Sequence, residues 1–357
     1  TTPSLAMAST TKTKTNKAKP KVSTSLNEDE VRSIESLRQS FEGIREELSK
    51  VIVGQEDAIE KIFICMLSNG HTLLMGVPGL AKTLLVNSIA QTTSLSFGRI
   101  QFTPDLMPSD VTGTEILQDR KDGDGREFTF IKGPIFANVL LADEINRTPP
   151  KTQSALLEAM QEKRVTVAGT NHILQKPFFV LATQNPIEQE GTYPLPEAQL
   201  DRFMFIVRMD YPQREEEIII ARQTTMGGTA KLKKIINGSK LKQYQELVEK
   251  IPVPEHVFEL AVDLVRRTRP GTEDAPKWLK QSVQWGAGPR AIQFLIRGAK
   301  AHALIRGNYI TTTEDLEAVA ETVLYHRIIT NFHARSEGIT SSEVINRLLE
   351  EARKEDR

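Results

Sequence analysis

The sequence predicts an α/β fold in which a five-stranded parallel sheet lies between helices and an all-helical region follows. Five short apolar runs predict the strands, at residues 71–75, 98–102, 139–142, 178–183 and 203–207. Helical patterns separate several of these runs, which is typical of parallel strands buried on both faces. A glycine-rich turn follows the first run and two carboxylates follow the third. Together they indicate a phosphate-binding site.

The glycine-rich turn reads Gly76-Val-Pro-Gly-Leu-Ala-Lys-Thr83 and joins the first predicted strand to a helix. At such a turn, backbone N–H groups and the helix N-terminus face the oxygens of a bound phosphate. Lys82 is expected to reach the β- and γ-phosphates, and the Thr83 hydroxyl to bind Mg²⁺. The strict pattern has Gly before the lysine, where this chain has Ala81. The turn alone therefore leaves an ordinary strand–helix connection open.

The carboxylates of Asp143 and Glu144 follow the third predicted strand. Asp143 is the expected metal ligand, and Glu144 is expected to polarise the attacking water. Taken alone, the pair also fits an exposed acidic loop after a core strand. The order and spacing of the turn and the carboxylates favour a site that binds and hydrolyses a nucleoside triphosphate.

Composition narrows the class of protein. The chain has 357 residues, which favours about two domains. Lys+Arg and Asp+Glu both number 46, so a strong global field for nucleic acid or an anionic membrane is absent. No apolar run approaches the roughly 20 residues that span a bilayer. The single Cys65 excludes an internal disulfide, predicts a buried thiol in its apolar run and fits a cytoplasmic location.

Three regions are predicted along the chain: a tail at 1–25, an α/β subdomain at 26–210 and a helical lid at 211–357. The tail is basic and has too few large apolar residues to fold, so a solvated segment is predicted, with an electrostatic docking arm as the alternative. Asn27 or Ser25 is predicted to cap a helix that ends near Ser49. The lid helices are predicted at roughly 213–226, 239–250, 255–268, 289–306, 313–329 and 341–353.

Two β-hairpins are predicted to interrupt the α/β alternation. The first has strands at 114–117 and 127–131 around the turn Asp122-Gly-Asp-Gly125. The second has strands at 164–167 and 171–174 around Ala168-Gly-Thr170.

Three further polar residues are candidates for the same chemistry. Asn185 follows the fourth strand, where its amide can position water at the γ-phosphate, although an Asn-Pro turn is the simpler interpretation. Arg202 precedes the fifth strand and is either a salt-bridged surface arginine or a guanidinium that enters a neighbouring subunit's site. Arg290 opens a lid helix, from which it can reach back to the phosphates, or it is an ordinary helix-start arginine.

The ordered motifs resemble those of an AAA+ ATPase, and more narrowly the MoxR family. The resemblance covers about residues 26–355. It rests on the glycine-rich turn, on Ala142-Asp-Glu-Ile-Asn-Arg-Thr-Pro-Pro-Lys-Thr-Gln-Ser-Ala-Leu-Leu-Glu-Ala-Met-Gln-Glu162 and on Gly191-Thr-Tyr-Pro-Leu-Pro-Glu-Ala-Gln-Leu-Asp-Arg-Phe203. Relatives in this group tolerate Ala before the lysine. In relatives both hairpins face the central pore of a ring.

The resemblance implies a role for each matching residue. Glu144, Asn185, Arg202 and Arg290 match the catalytic Walker B glutamate, sensor 1, arginine finger and sensor 2. Thr83 and Asp143 match the Mg²⁺ ligands. The implied ATP-binding residues are Val53, Gly54 and Gln55 beside the base, and Gly76, Val77, Pro78, Gly79, Leu80, Ala81, Lys82, Thr83 and Leu84 around the phosphates. Arg147 lies in a family string but receives no role.

The resemblance also implies an output. ATP hydrolysis with Mg²⁺, in a homo-oligomeric ring of six subunits, would remodel or mature a protein client, for which the family suggests a von Willebrand A domain. A nucleic-acid motor and a magnesium-chelatase-like ATPase subunit are the alternatives. Nucleic acid is the less favoured partner because the second hairpin offers Lys163, Arg164 and His172 but no aromatic residue on which bases stack.

Overall fold

The computed structural model describes residues 27–119, 125–186, 191–225 and 230–355. The predicted tail and most of the first hairpin's turn lie outside these ranges. The helices are α1 (Glu28–Leu48), α2 (Glu56–Leu67), α3 (Lys82–Thr92), α4 (Pro108–Thr112), α5 (Pro150–Glu162), α6 (Glu197–Leu200), α7 (Arg214–Thr225), α8 (Gly238–Lys250), α9 (Glu255–Arg267), α10 (Lys277–Ser282), α11 (Pro289–Ile305), α12 (Thr313–Leu324), α13 (Phe332–Ser336) and α14 (Ser341–Glu355). The strands are β1 (Thr72–Met75), β2 (Phe97–Gln101), β3 (Gly113–Asp119), β4 (Arg126–Lys132), β5 (Val139–Asp143), β6 (Arg164–Val167), β7 (Thr170–Ile173), β8 (Phe179–Gln184), β9 (Phe205–Arg208), β10 (Val283–Trp285) and β11 (Ile329–Thr330).

The central sheet confirms the predicted fold class. Its five strands are parallel and stand in the order β2-β5-β8-β1-β9. Alternate side chains enter different cores, because successive residues of a strand point to opposite faces. Leu73 belongs to the core on one face and Leu74 to the core on the other. All five carboxyl ends therefore lie along one edge of a sheet that is covered on both sides.

Helix α1 begins at the predicted cap. The Asn27 side chain accepts from the Glu30 N–H at 2.8 Å, and the Glu30 carboxylate accepts from the Asn27 N–H at 3.0 Å. This reciprocal pair satisfies donors that the first helical turn leaves unpaired. The apolar stripe of α1 is buried, with the Phe41 and Phe63 rings stacked at 5.0 Å. Cys65 is also buried, and burial raises the pKa of its thiol to about 12, as expected of a structural cysteine.

Both hairpins form. Strands β3 and β4 pair antiparallel from Gly113↔Lys132 to Asp119↔Arg126, and β6 and β7 pair from Arg164↔Ile173 to Val167↔Thr170. The two hairpins contact each other through the stacked rings of Phe130 and His172, whose centroids are 3.8 Å apart. The two hairpins therefore pack against each other.

The region after β9 is largely helical as predicted, and it also contains two short helices that the sequence pattern did not indicate, α10 and α13. Strands β10 and β11 form a short antiparallel pair that the sequence pattern did not indicate. The helix predicted at 313–329 ends at Leu324 and gives way to a 3₁₀ turn, Tyr325–Arg327. Arg327 is almost fully buried there because its guanidinium binds backbone carbonyls of the segment before β9. These tertiary bonds override the helical pattern.

One core runs through both parts of the chain. Helix α1 packs against α3, which follows the phosphate loop, and against α8 and α11. The core on that face includes Leu37, Val86, Tyr244 and Leu304. The division of the chain near residue 210 stays a prediction.

Candidate functional site

The loop between β1 and α3 has the backbone of a phosphate cradle. Gly79 and Ala81 have φ angles of 87° and 53°, and left-handed residues of this kind occur in loops whose N–H groups bind anions. Ala81 takes the left-handed conformation that glycine adopts without strain, at a cost of about 1 kcal/mol for an L-residue. This explains why the strict pattern has glycine here. The Lys82 ammonium bridges the loop and donates to the Gly76 carbonyl oxygen.

The segment predicted to lie beside the base is at the junction between the sheet and α7. The Gln55 amide donates to the Asp210 carbonyl oxygen at 3.2 Å. Gly54 has a φ of 73°, and a Cβ there would collide with the Glu216 carboxylate. Leu84, in the first turn of α3, is 44% exposed and so remains available to a ligand.

Asp143 ends β5 and is held from two sides. The Thr183 hydroxyl, on the adjacent strand β8, donates to Asp143 Oδ1 at 2.6 Å and accepts from the Glu144 N–H at 2.8 Å. The Arg99 guanidinium, on β2, pairs with Asp143 Oδ2 at 2.7 Å. Arg99 is half-exposed, so this pair stabilises the fold only weakly. The Asp143 carboxylate is therefore paired with a guanidinium that a metal ion can displace.

Glu144 is also held through its side chain by neighbouring polar groups. Its backbone is left-handed, with φ at 57°. Its Oε2 accepts from the Gln101 amide at 3.0 Å and pairs with Arg147 Nε at 3.1 Å. These two contacts hold the Glu144 carboxylate in place just after β5, and neither of them is made to its other oxygen, Oε1. Arg147, to which the sequence analysis assigned no role, thus contacts this carboxylate.

Lys82 shares this edge of the sheet with the carboxylates. Burial lowers the pKa of its ammonium, and the negative charges of Asp143 and Glu144 partly restore it. Asn185 is buried just after β8, the strand between β5 and β1. The structure therefore brings Lys82, Asp143, Glu144 and Asn185 together at the carboxyl ends of three neighbouring strands, where ligands bind in open α/β sheets.

Arg202 and Arg290 lie at the opposite edge. Arg202 precedes β9, whose first residue Phe205 pairs with Thr72 at the start of β1. The phosphate loop follows the far end of β1, at least about 10 Å away at 3.3 Å per residue. The Arg290 guanidinium donates to Asp201 Oδ2 at 2.8 Å and lines the same cavity as Arg202. In this structure the Arg290 guanidinium is engaged by Asp201, and its contact with the phosphates stays a prediction.

Arg327 fixes the backbone around Arg202. Its Nη2 donates to the carbonyl oxygens of Asp201 and Phe203 at 2.9 and 2.7 Å, and its Nε donates to Asp201 Oδ1 at 2.7 Å. Burial lowers the pKa of this guanidinium to about 10, although Asp201 opposes the shift. The peptide groups on both sides of Arg202 are thus bound to one buried side chain.

Replacing Arg327 should destabilise the fold strongly. Arg327→Met leaves the two carbonyls without their donor and leaves Asp201 paired with Arg290 alone, and breaking a buried ion pair costs about 3–5 kcal/mol. Denaturant unfolding measures this change in the free energy of unfolding. Arg335→Met is the control, because Arg335 is exposed on α13 and such changes stay within about 0.5 kcal/mol. Equal stability of the two variants would contradict the role of Arg327.

Sequence reasoning missed four residues that contact the carboxylates or fix the arginine segment: Arg99, Gln101, Thr183 and Arg327. Arg99 and Gln101 lie on β2, and Thr183 lies near the end of β8. The strand order would have identified them, because β2 pairs with β5 and this pairing places Gln101 beside Asp143. A single sequence predicts strands but not which strands are neighbours.

Comparisons with known proteins match this architecture. Residues 71–205 match the family described as "ATPase family associated with various cellular activities (AAA)", and residues 277–348 match the AAA lid domain. Chaperone MoxR1 of Mycobacterium tuberculosis is 43% identical over 305 residues, which cover 85% of this chain and 79% of that protein. Protein YeaC of Bacillus subtilis is 41% identical over 305 residues, which cover 85% of this chain and 91% of that protein.

A crystal structure of a protein from Cytophaga hutchinsonii has a TM-score of 0.82 and 42% identity to this chain, and the match covers 89% of this chain and 96% of that one. Within the described ranges, no helix is both long and apolar enough to cross a membrane. The sequence identity to a MoxR chaperone extends over the sheet, the phosphate loop and the lid. The chain therefore belongs to the MoxR family of AAA+ ATPases.

Proposed function

We propose that this chain hydrolyses ATP in a Mg²⁺-dependent reaction. The observation that carries the proposal is the Lys82 ammonium over the phosphate loop, with the Asp143 and Glu144 carboxylates close enough to shift its pKa. Thr83 and Asp143 suit Mg²⁺, which takes one or two protein oxygens and completes its shell with phosphates and water.

Each side chain has a distinct task in this proposal. The bound metal would neutralise charge on the phosphate oxygens. Lys82 and the loop N–H groups bind the phosphates, and the segment 53–55 contacts the base. Glu144 orients the attacking water, and the Asn185 amide helps to position it.

We infer that the active site is shared between subunits of a head-to-tail ring. Arg202 and Arg290 stand at the edge of the sheet opposite the phosphate loop, so a neighbour's nucleotide is the one they can meet. A heterologous interface that repeats around an axis closes into a ring. Six subunits is the number that the family resemblance implies.

The proposed output is the remodelling or maturation of a protein partner. A relative with 43% identity is named a chaperone, which supports this class of activity. The family resemblance is the support for a partner with a von Willebrand A domain. The single free cysteine is the support for a cytoplasmic location of this chain.

Two assays test the proposal. ATP turnover should require Mg²⁺, disappear with a chelator and rise in specific activity with protein concentration as rings assemble. ATP-loaded Glu144→Gln protein should retain a partner with a von Willebrand A domain, and the ADP-loaded form should release it. Turnover that ignores the chelator, or retention that ignores the nucleotide, would contradict the proposal. A steep salt dependence of binding to DNA or RNA would instead support a nucleic-acid motor.

A further inference from the structure

A cavity opens at the edge of the sheet opposite the phosphate loop. Its volume is about 250 Å³, and it lies between the segment before β1, the end of α5 and the first turns of α11. Four cationic side chains line it, namely Lys163, Arg202, Arg290 and Arg297, and none of the other lining residues is acidic. Lys163 and Arg297 have no place in the site described so far.

The cations of this cavity outnumber the carboxylates near it. Asp201 pairs with Arg290 at 2.8 Å, but it also pairs with the buried Arg327 at 2.7 Å. In the part of the chain that the structure describes, Arg202 and Arg297 form no ion pair. The excess of positive charge favours an anion as the occupant.

Lys163 is built into the floor of the cavity. It ends α5 in a left-handed conformation, with φ at 56°. Its Nζ lies 3.3 Å from His71 Nε2 and 5.9 Å from the centre of the Phe178 ring. No carboxylate of the described residues pairs with it. Burial, helped by the charges of Lys176 and Arg297, lowers the pKa of this ammonium, so an incoming anion would stabilise its charged form.

We propose that this cavity binds the terminal phosphates of the nucleotide held by the neighbouring subunit, and that Lys163 and Arg297 contact them together with Arg202 and Arg290. The inference rests on the shared site proposed above. The guanidinium forks suit pairs of phosphate oxygens, and Lys163 supplies a compact charge. The cavity is smaller than the roughly 300–1,000 Å³ that encloses a drug-sized ligand, so the base and sugar stay with the other subunit.

The first test removes each new cation separately. In Lys163→Met and Arg297→Gln, kcat should fall by about 10²–10³, as when one donor to a transition-state oxyanion is lost. ATP affinity of the dispersed subunit should not change, because the phosphate loop is untouched. Lys163→Arg should retain part of the activity. Lys300→Met is the matched control: this lysine lies one turn further along α11, is partly buried and donates to the Glu249 carbonyl, outside the cavity.

The second test assigns each residue to one side of the subunit interface. Lys163→Met mixed with Glu144→Gln should regain activity, because intact Glu144 from one subunit meets intact Lys163 from the other. Lys163→Met mixed with Arg202→Ala should stay inactive, because both changes affect the same side. If Lys163→Met impairs folding, Arg297→Gln replaces it in both mixtures, because Arg297 is exposed.

Three results would overturn the inference. One is unchanged kcat in both variants. Another is recovery in the mixture with Arg202→Ala. The third is a mixture of Lys163→Met with Glu144→Gln that stays inactive although the reference mixture of Arg202→Ala with Glu144→Gln regains activity. Failure of that reference mixture as well would remove the shared site itself and this inference with it.

Discussion

Arg202→Ala should bind ATP with unchanged affinity and hydrolyse it about 10³–10⁵ times more slowly, the contribution of an arginine finger in related phosphoryl transfer. Arg202 is separated from its own phosphate loop by the length of β1. It therefore contributes nothing to binding within the subunit, whereas its guanidinium can meet the γ-phosphate of the neighbour. Steady-state kcat and the binding of a fluorescent ATP analogue measure the two quantities.

Arg202→Lys should recover only part of the lost kcat, because an ammonium lacks the bidentate fork. Arg222→Ala serves as the matched control, since Arg222 is exposed on α7. A loss of ATP affinity comparable to the loss of kcat would show that Arg202 acts inside its own subunit or maintains the fold.

Glu144→Gln should retain ATP and lose about 10²–10⁴ in turnover, because the change removes only the base that orients water. Lys82→Ala should instead lose tight ATP binding, because the phosphates lose their closest cation. Single-turnover hydrolysis separates chemistry from binding in the first variant, and an equilibrium binding titration serves for the second.

Glu158→Gln, on the exposed face of α5, is the control for a neutralised carboxylate. Equal loss of ATP affinity in Glu144→Gln and Lys82→Ala would contradict the separate roles. Normal turnover in Glu144→Gln would assign water activation to another group.

The parts of the site that follow one another along the chain were predictable. Apolar runs that end in Gly76 or in Asp143 place a phosphate loop and a carboxylate at strand ends, and the structure has both there. The partners of the carboxylates were not predictable, because Arg99 and Thr183 reach Asp143 only through the order β2-β5-β8. Pairing between distant strands leaves no local pattern in one sequence.

Arg290 shows the same limit for the lid. The Gly-Pro pair before it indicated a helix start, and α11 begins at Pro289. Which edge of the sheet that helix start faces depends on how α11 packs against α1, α2 and α12. The sequence pattern gives the buried faces of these helices but not their arrangement, so the contact between Arg290 and Asp201 was not predictable.

Activity in mixtures of two inactive proteins tests the shared site most directly. Glu144→Gln and Arg202→Ala are combined over a series of ratios at constant total protein, and co-assembly is followed by size-exclusion chromatography. In a randomly mixed head-to-tail ring, activity should peak at equal amounts, where about one site in four has an intact Glu144 facing an intact Arg202. Mixtures that co-assemble and remain inactive at every ratio would contradict a site shared between subunits.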